Sequence, residues 1–563
     1  MTISSILRPS VLALIFVCWV ASVPASAQTT MSLSRRIQQA MDSANVPGAS
    51  VAIIQKGRLT HCEGYGLTKN DSSQRVTAAT VFDAASLSKP VFAYAVLQLV
   101  QENKFDLDKP LYQYLPYPDI ESDERYKQIT ARMVLSHTTG FPNWRGSRPL
   151  SIRWEPGKRF GYSGEGFVYL QKVIETISGQ QINEFISQRV FRPLQMTRSG
   201  YVWQPQMDTD FAYPHDNFGI ADTKRKPTQA NTAYSLQTTA EDYARFMLAI
   251  MQSKGLSPTT VGRMLSPQSQ LPKRFSGDTT LAPDLFWGLG FGLEKTPSGD
   301  YFWHWGDNGT FRCFVGANQA QQKAVILFTN SFNGLSLARE LIPGLLGGQH
   351  PLFSFLGYDS YKTPGNLFAN AVLKKGVPTA LEPFRNDAGV TTIPEDNMNW
   401  VGNQLLRIGR VPEALAVLEH TLKAYPRSAT VNASYAYALL RSGDQPRAVE
   451  YLKKALDLKP DNERLRQTLS GLTNARSQQG PIRLVLKDYP NARLVTLAGS
   501  FNDWNNLHTF FTRKNTAWEC SLDLKPGTYT YKIFVDGKWI NDPANPNRQR
   551  DEQGNENSVL VVQ

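Results

Sequence analysis

Ser86-Leu87-Ser88-Lys89 sets an amine three residues after a hydroxyl, and no other serine of the chain has a lysine at that offset. On a helix three residues make nearly one turn, so the two side chains share a face. A serine hydroxyl is a weak nucleophile and needs a base beside it. A free lysine titrates near 10.4, roughly three units too high for that task, but burial or a neighbouring cation lowers it. A helix starting at Ser86 would add a positive field and free backbone N–H groups. The chemistry implied is acyl transfer through Ser86; alone, the tetrad is equally compatible with an ordinary helix start. Two further clusters bear on the choice. Tyr162-Ser163-Gly164 follows Pro156-Gly157 and Phe160, and His304-Trp305-Gly306 runs into Asp307-Asn308-Gly309. The second lies at a strand end, where backbone N–H groups can face a developing oxyanion. Taken singly, Tyr162 reads as a core aromatic and His304 as a satisfied strand histidine.

The elements that must position these residues are legible in outline. Val51-Ala-Ile-Ile54, Lys56-Gly57 and the run from Leu59 read as a hairpin. Pro90–Gln101 reads as a helix with proline tolerated in its first turn. Tyr301–Trp305 and Ala324–Thr329 read as strands separated by a glycine-rich turn. Pro343–Gly376, rich in glycine and proline, reads as the exit from this domain and the start of a linker. A chain of 563 residues exceeds one hydrophobic core.

Beyond the linker the pattern changes twice. Gly409 and Gly443, Ala414 and Ala448, and Pro426 and Pro460 are each 34 residues apart. Each unit reads helix, glycine turn, helix, proline stop, the period and pattern of tetratricopeptide repeats. Tyr435, Ala436, Ala438 and Leu439 then belong to the core of the array. From Pro481 the chain is β-rich, with short strands separated by turns, which predicts a β-sandwich. The expected architecture is multidomain. It has an α/β (α+β) domain at 28–345, a linker at 346–395, an all-α repeat segment at 396–475 and an all-β immunoglobulin-like sandwich at 480–563.

Composition narrows the partners. The formal net charge is +12, but no basic run occurs, so nucleic acid is not expected. Arg8, the apolar run Val11–Ala21 and Ala25-Ser26-Ala27 form the pattern of a secretory signal peptide over 1–27. This predicts export to a bacterial periplasm or exterior with no membrane anchor in the mature chain. Of the four cysteines, Cys62, Cys313 and Cys520 follow that segment and are far apart. They form no disulfide framework or zinc spacing, so free thiols, no metal and no cofactor are expected.

The order of the three clusters, with their flanks, resembles the class C beta-lactamase family, which includes D-alanyl-D-alanine carboxypeptidases and related esterases. That family runs S-x-x-K, then Y-x-N, then K-T-G or H-x-G. Val46-Pro47-Gly48, Leu135-Ser136-His137-Thr138-Thr139-Gly140 and Phe191-Arg-Pro-Leu-Gln-Met196 resemble its other signatures, so the likeness covers about 33–340. The resemblance implies a transpeptidase-like fold and hydrolysis of an ester or amide through a Ser86 acyl-enzyme. It implies that Lys89 and Tyr162 carry the proton, that His304 supports the site electrostatically, and that the backbone N–H groups of Ser86 and Asp307 form the oxyanion hole. Gly164, Trp305 and Gly306 fall at substrate-binding positions. Gly164 replaces the asparagine of Y-x-N, and His304-Trp305 replaces Lys-Thr. Both departures point from antibiotic hydrolysis toward an esterase or peptidase.

Gly499-Ser-Phe-Asn-Asp-Trp504, Tyr531-Lys532, Val535–Trp539, Asp542-Pro543 and Gly554–Asn557 resemble the glycogen-binding module of the AMP-activated kinase beta subunit. The resemblance implies that Trp504 and Trp539 stack on glucose rings while Lys532 and Asn557 bond sugar hydroxyls. Flat aromatic faces suit the apolar faces of sugars. Trp518 reads as a core residue. The main reading is a serine hydrolase tethered to a glycan-binding module, with repeats that bind protein or set spacing. The alternative is a catalytically silent receptor or scaffold for glycan and protein partners, which predicts loss of Ser86, Lys89 or Tyr162. All three are present. A third reading makes the sugar module primary, with acylated or peptide-bearing glycans as substrates.

Overall fold

Val51 and Ile53 alternate with Ala52 and Ile54 along one strand, and both pairs are buried in different clusters. A strand covered on both faces carries an unbroken apolar run. That strand, β1 (Gly48–Gln55), belongs to a large antiparallel sheet in the computed structural model. The structure describes residues 25–146, 148–276, 278–384, 393–473, 480–551 and 555–563. Most of the segment read as a signal peptide, with Cys18, lies outside them, as does Gly554 of the C-terminal motif.

The hairpin partner is β2 (Arg58–Gly66), and a short pair, β3 (Phe82–Asp83) and β4 (Gln237–Thr238), lies off the main sheet. The other strands are β5 (Ser269–Pro272), β6 (Leu281–Trp287), β7 (Gly292–Thr296), β8 (Gly299–Asp307), β9 (Arg312–Asn318) and β10 (Lys323–Thr329). Their order is β2-β1-β10-β9-β8-β7-β6-β5, so the first strand pairs with the last. On one face lie helices Ser88–Gln101, Gly164–Ser178 and Ala240–Met251; on the other lie Ala25–Ala44, Gly334–Leu346 and Leu352–Leu356. The expected glycine-rich turn between Tyr301–Trp305 and Ala324–Thr329 is corrected: β9 intervenes, with Cys313, Phe314 and Val315 fully covered by the sheet and helices.

The expected linker at 346–395 is also corrected over its described part. Helix Leu352–Leu356 buries Leu352, Phe353, Phe355 and Leu356 against the sheet. His350 pairs with Glu294 of β7, and both side chains are fully buried. Helices Pro364–Lys375 and Val377–Leu381 join the core of the repeats through Phe368, Val372 and Leu381. Apolar content, rather than the glycines and prolines between helices, decides this stretch: prolines at first-turn positions 364 and 378 start helices instead of breaking them.

The repeat segment is formed by helices Glu395–Arg407, Val411–Ala424, Ala429–Ser442, Gln445–Leu458 and Glu463–Thr473. Tyr435, Ala436, Ala438 and Leu439 are buried in it. The C-terminal part is a sandwich. One sheet holds Ile482–Leu486, Ala517–Leu522 and Thr512–Lys514; the other is built around Val495–Gly499, Gly527–Val535 and Glu556–Val562. Trp518 lies in the core between them.

Candidate active site

The turn before the nucleophile is held in an unusual shape. Ala85 has φ of 48°, a left-handed conformation uncommon for a residue with a Cβ. Four groups pin it. Asp83 accepts the Ala85 N–H at 2.9 Å, and the Ser88 hydroxyl donates to the Ala85 carbonyl at 2.6 Å. Tyr243 donates to the Leu87 carbonyl at 3.0 Å and Tyr201 to the Ser88 carbonyl at 2.6 Å. Ser86 opens onto this turn, partly exposed among buried neighbours. Strain kept by surrounding hydrogen bonds is characteristic of sites where a side chain must be aimed.

Helix Ser88–Gln101 begins at once and carries Lys89 one turn on. Lys89 is fully buried; its Nζ lies 3.1 Å from Ser86 Oγ and donates to the Ala233 carbonyl at 2.7 Å. Burial holds its pKa well below that of an exposed lysine. In the uncharged amine one N–H serves Ala233 and the lone pair is left for the Ser86 proton. The ammonium site also lies 4.7 Å from the centre of the Tyr162 ring and 5.5 Å from that of Phe167.

Tyr162 is buried, and burial pushes its phenol above its ordinary pKa, with the Ser86 side chain pulling the other way. The hydroxyl therefore carries its proton at neutral pH, and no well-formed hydrogen bond takes it up. The ring is clamped by His137, centre to centre at 4.2 Å, and by Trp305 at 5.0 Å. His137 in turn accepts the Ser163 N–H on Nδ1 at 3.1 Å. It comes from the Leu135–Gly140 segment, whose role beyond the motif the sequence does not reveal.

Strand β8 closes the other side. Its period of two puts Phe302, His304 and Gly306 on the face toward the nucleophile. His304 is fully buried, and its Nδ1 lies 2.7 Å from the Trp305 carbonyl. Desolvation, helped by Lys89 and opposed by that backbone contact, lowers its pKa to about 3. The expectation that His304 supports the site electrostatically is corrected: at neutral pH it is an uncharged imidazole. Gly306 is also corrected as a substrate-binding position. A Cβ there would lie 2.3 Å from the Ala84 carbonyl oxygen, so glycine is needed to let β8 abut the nucleophile turn. Gly164 has a comparable reason, since its Cβ would meet the Trp144 indole at 2.4 Å.

Asp307 turns its carboxylate away from Ser86. It takes hydrogen bonds from Gly309 N–H at 2.7 Å and the Tyr358 hydroxyl at 2.5 Å, and pairs with Arg312 at 3.1 Å. Asn308 Nδ2 donates to Asp83 at 2.9 Å, so one carboxylate ties the nucleophile turn to the β8–β9 turn. The main chain of Ser86 and Asp307 thus lies at the meeting of two fixed turns. Ser86 sits in the first turn of a short 3-10 helix, where N–H groups have no intrahelical partner. Asp83, His137, Asn308, Tyr201 and Tyr243 are scattered through the chain without motif spacing, which is why sequence reasoning missed them.

In the sandwich, Trp504, Lys532, Trp539 and Asn557 come together around one shallow cavity, joined by Asp551 and Asn555. Trp504 is 39% and Trp539 45% exposed, whereas Asn557 is buried. Trp504 is presented by a turn in which Asp503 and Trp504 both have positive φ, 52° and 57°. Among the described residues no group of acidic, histidine and cysteine side chains could hold a metal ion, and no helix is long and apolar enough to cross a membrane. Cys62, Cys313 and Cys520 are free thiols.

Comparison with known proteins agrees with this arrangement. Residues 402–463 match the Tetratricopeptide repeat family, and residues 482–563 match the family described as Glycogen recognition site of AMP-activated protein kinase. Protein flp of Staphylococcus aureus (strain COL) is 22% identical over 225 residues, 37% of this chain and 44% of its own length. The chain thus spans under half the length of that relative. Penicillin-binding protein 4 of Amycolatopsis lactamdurans is 24% identical over 331 residues, 54% of this chain and 86% of its own. The octameric penicillin-binding protein homologue from Pyrococcus abyssi shares the fold, with a TM-score of 0.50 and 22% identity over 58% of this chain and 79% of that one. Residues 33–346, more than half of the chain, match the Beta-lactamase family, and the chain belongs to it.

Proposed function

We propose that this protein is a serine hydrolase that cleaves an ester or amide through an acyl-enzyme on Ser86. The observation that carries the reading is the buried, burial-depressed Lys89 amine 3.1 Å from Ser86 Oγ. Lys89 takes the hydroxyl proton as Ser86 Oγ bonds to the substrate carbonyl carbon. The negative charge that develops on the carbonyl oxygen faces the backbone N–H groups of Ser86 and Asp307. The bond to the alcohol or amine then breaks, and the leaving group takes a proton from the Tyr162 hydroxyl, which Lys89 refills. Water, deprotonated by the same pair, releases the acid and restores Ser86. His304 enters no step as a cation.

The C-terminal cavity supports a second, separable role. Two exposed indoles flanked by Lys532 and Asn557 suit an α-glucan or a related glycan, which would hold the hydrolase near a polymeric substrate. Export rests on the sequence of residues 1–27; N-terminal sequencing of the protein recovered from its host checks it.

The test of the catalytic role is intact-mass analysis of the full chain with a fluorophosphonate and with a penicillin, beside Ser86→Ala. A fluorophosphonate adduct that depends on Ser86 is the expected result. Failure of both reagents to label the wild type would sink the hydrolase reading in favour of a silent binding protein. The lifetime of any penicillin adduct separates slow acylation from turnover.

A further inference from the structure

Trp144 is 44% exposed, yet the chain on both sides of it is fixed. The Asn143 carbonyl accepts the Gly164 N–H at 3.0 Å, and the Asn143 side-chain oxygen accepts it at 3.1 Å. Arg145 reaches the Glu165 carboxylate with both its backbone N–H and its Nε, each at 3.0 Å, and pairs with Asp119 at 2.7 Å. The indole lies over Gly164, in space that any side chain at that position would fill. Its edge-to-face partner is Tyr234, at 5.6 Å between ring centres. Tyr234 follows Ala233, whose carbonyl holds Lys89, and its own carbonyl lies 3.5 Å from Asn308 Nδ2. Both rings therefore border the nucleophile. An exposed indole anchored this firmly is a preformed apolar surface.

The charges on the same elements are already matched. Arg145 is held by two carboxylates, Arg312 by Asp307, and Lys89 is uncharged for the reason given above. Orientation follows from the chemistry. Tyr162 hands the proton to the leaving group, so that group lies on the Tyr162 side, away from the Tyr234 edge. The acyl group stays on Ser86 and extends to the side walled by Trp144 and Tyr234.

We infer that Trp144 and Tyr234 form an acyl-group wall that selects esters of flat, uncharged aromatic acids and rejects acyl groups bearing a carboxylate. This rests on the hydrolase reading proposed above. The step is the one already balanced: the Ser86 Oγ–carbonyl bond forms, the alcohol leaves with a proton, and water releases the aromatic acid.

The experiment compares kcat/KM of the full chain on 4-nitrophenyl phenylacetate, 4-nitrophenyl (4-carboxyphenyl)acetate and 4-nitrophenyl acetate, corrected for spontaneous hydrolysis. The leaving group is constant, so the ratios report the acyl wall. The phenylacetate is expected to exceed each of the others by at least about tenfold. In Trp144→Ala the preference over the acetate falls by at least about fivefold, while Trp144→Phe keeps most of it. Should Trp144→Ala fold poorly, Trp144→Gln, of similar length and without the ring, is judged on the same ratio. Equal turnover of the three esters by wild type, or an unchanged ratio in the ring-less variant, overturns the wall while Ser86 still reacts with a fluorophosphonate. Absence of both turnover and labelling overturns the hydrolase reading and this inference with it.

Discussion

Lys89 must be uncharged to accept a proton, and its complete burial is what makes that state available near neutral pH. Acylation should rise with pH through an ionisation well below that of an exposed lysine and then level off. Lys89→Arg, which stays charged, should lose roughly 10²–10⁴-fold in kcat/KM, and a stopped-flow pH profile of 4-nitrophenol release checks both. A variant that kept the wild-type rate would remove Lys89 from the base role. A second buried lysine allows a sharper statement about stability. Lys224 donates to Gln237 at 2.8 Å beneath the nucleophile turn, and burial, opposed mainly by Asp83, lowers its pKa to about 8. Its unfolded value is near 10.4. Between these limits the unfolded chain binds more protons, so stability rises with pH there; below about 8 the penalty is complete and constant. Relative to Lys224→Met, the wild type should gain on the order of 3 kcal/mol between pH 8 and 10.5. Denaturant melts at stepped pH measure this, and parallel curves for the two proteins would contradict it.

At the scale of elements, the site depends on how closely β8 approaches the nucleophile turn. Gly306→Ala puts a methyl group 2.3 Å from the Ala84 carbonyl oxygen, and one of the two elements has to move. A displacement of that order should cost about 10²-fold in kcat/KM while the thermal melt stays cooperative; full activity would mean the contact is slack. The same closeness explains what the sequence could and could not tell. Ser86, Lys89 and Tyr162 were legible because local spacing carries them, one turn of helix in the first case and a short motif in the other. The hairpin of β1 and β2 was legible because its turn residues and apolar run are contiguous. Asp83, His137 and Trp144 were not, because each acts by reaching a partner far along the chain: Asn308, Tyr162 and Gly164. The state of His304 was hidden for a related reason. Its motif position suggested a counterpart to lysine, but full enclosure by the sheet and helices, which only the tertiary structure sets, removes its charge. The linker reading failed because glycine and proline mark the ends of short helices as readily as open chain.

At the scale of the molecule, the repeats grip both neighbours. Arg407 of the first repeat helix bonds Asp216 and Asn217 of the catalytic part, each at 2.9 Å, and Phe218 is buried in the repeat core. At the other end Arg441 donates to the Asp536 carbonyl of the sandwich at 2.8 Å. Its guanidinium lies 5.6 Å from the centre of the Phe534 ring, and Phe534 meets Trp539 edge to face at 4.9 Å. A path of packed groups thus runs from the repeat array to one of the two indoles proposed to face a glycan. If the array sets how that indole is presented, Arg441→Ala should weaken glycan binding without touching a sugar contact. The removed cation–π and hydrogen-bond support is worth about 1 kcal/mol, or roughly fivefold in affinity. Affinity electrophoresis of the full chain in glycogen should show reduced retardation for Arg441→Ala, partial recovery for Arg441→Lys, and loss for Trp539→Ala. Wild-type retardation of Arg441→Ala would mean that the sandwich positions Trp539 unaided and that the repeats only join the two ends. A matched fall in retardation with a lower, broader melt of the sandwich would instead assign Arg441 to stability, so the melt is recorded on the same samples.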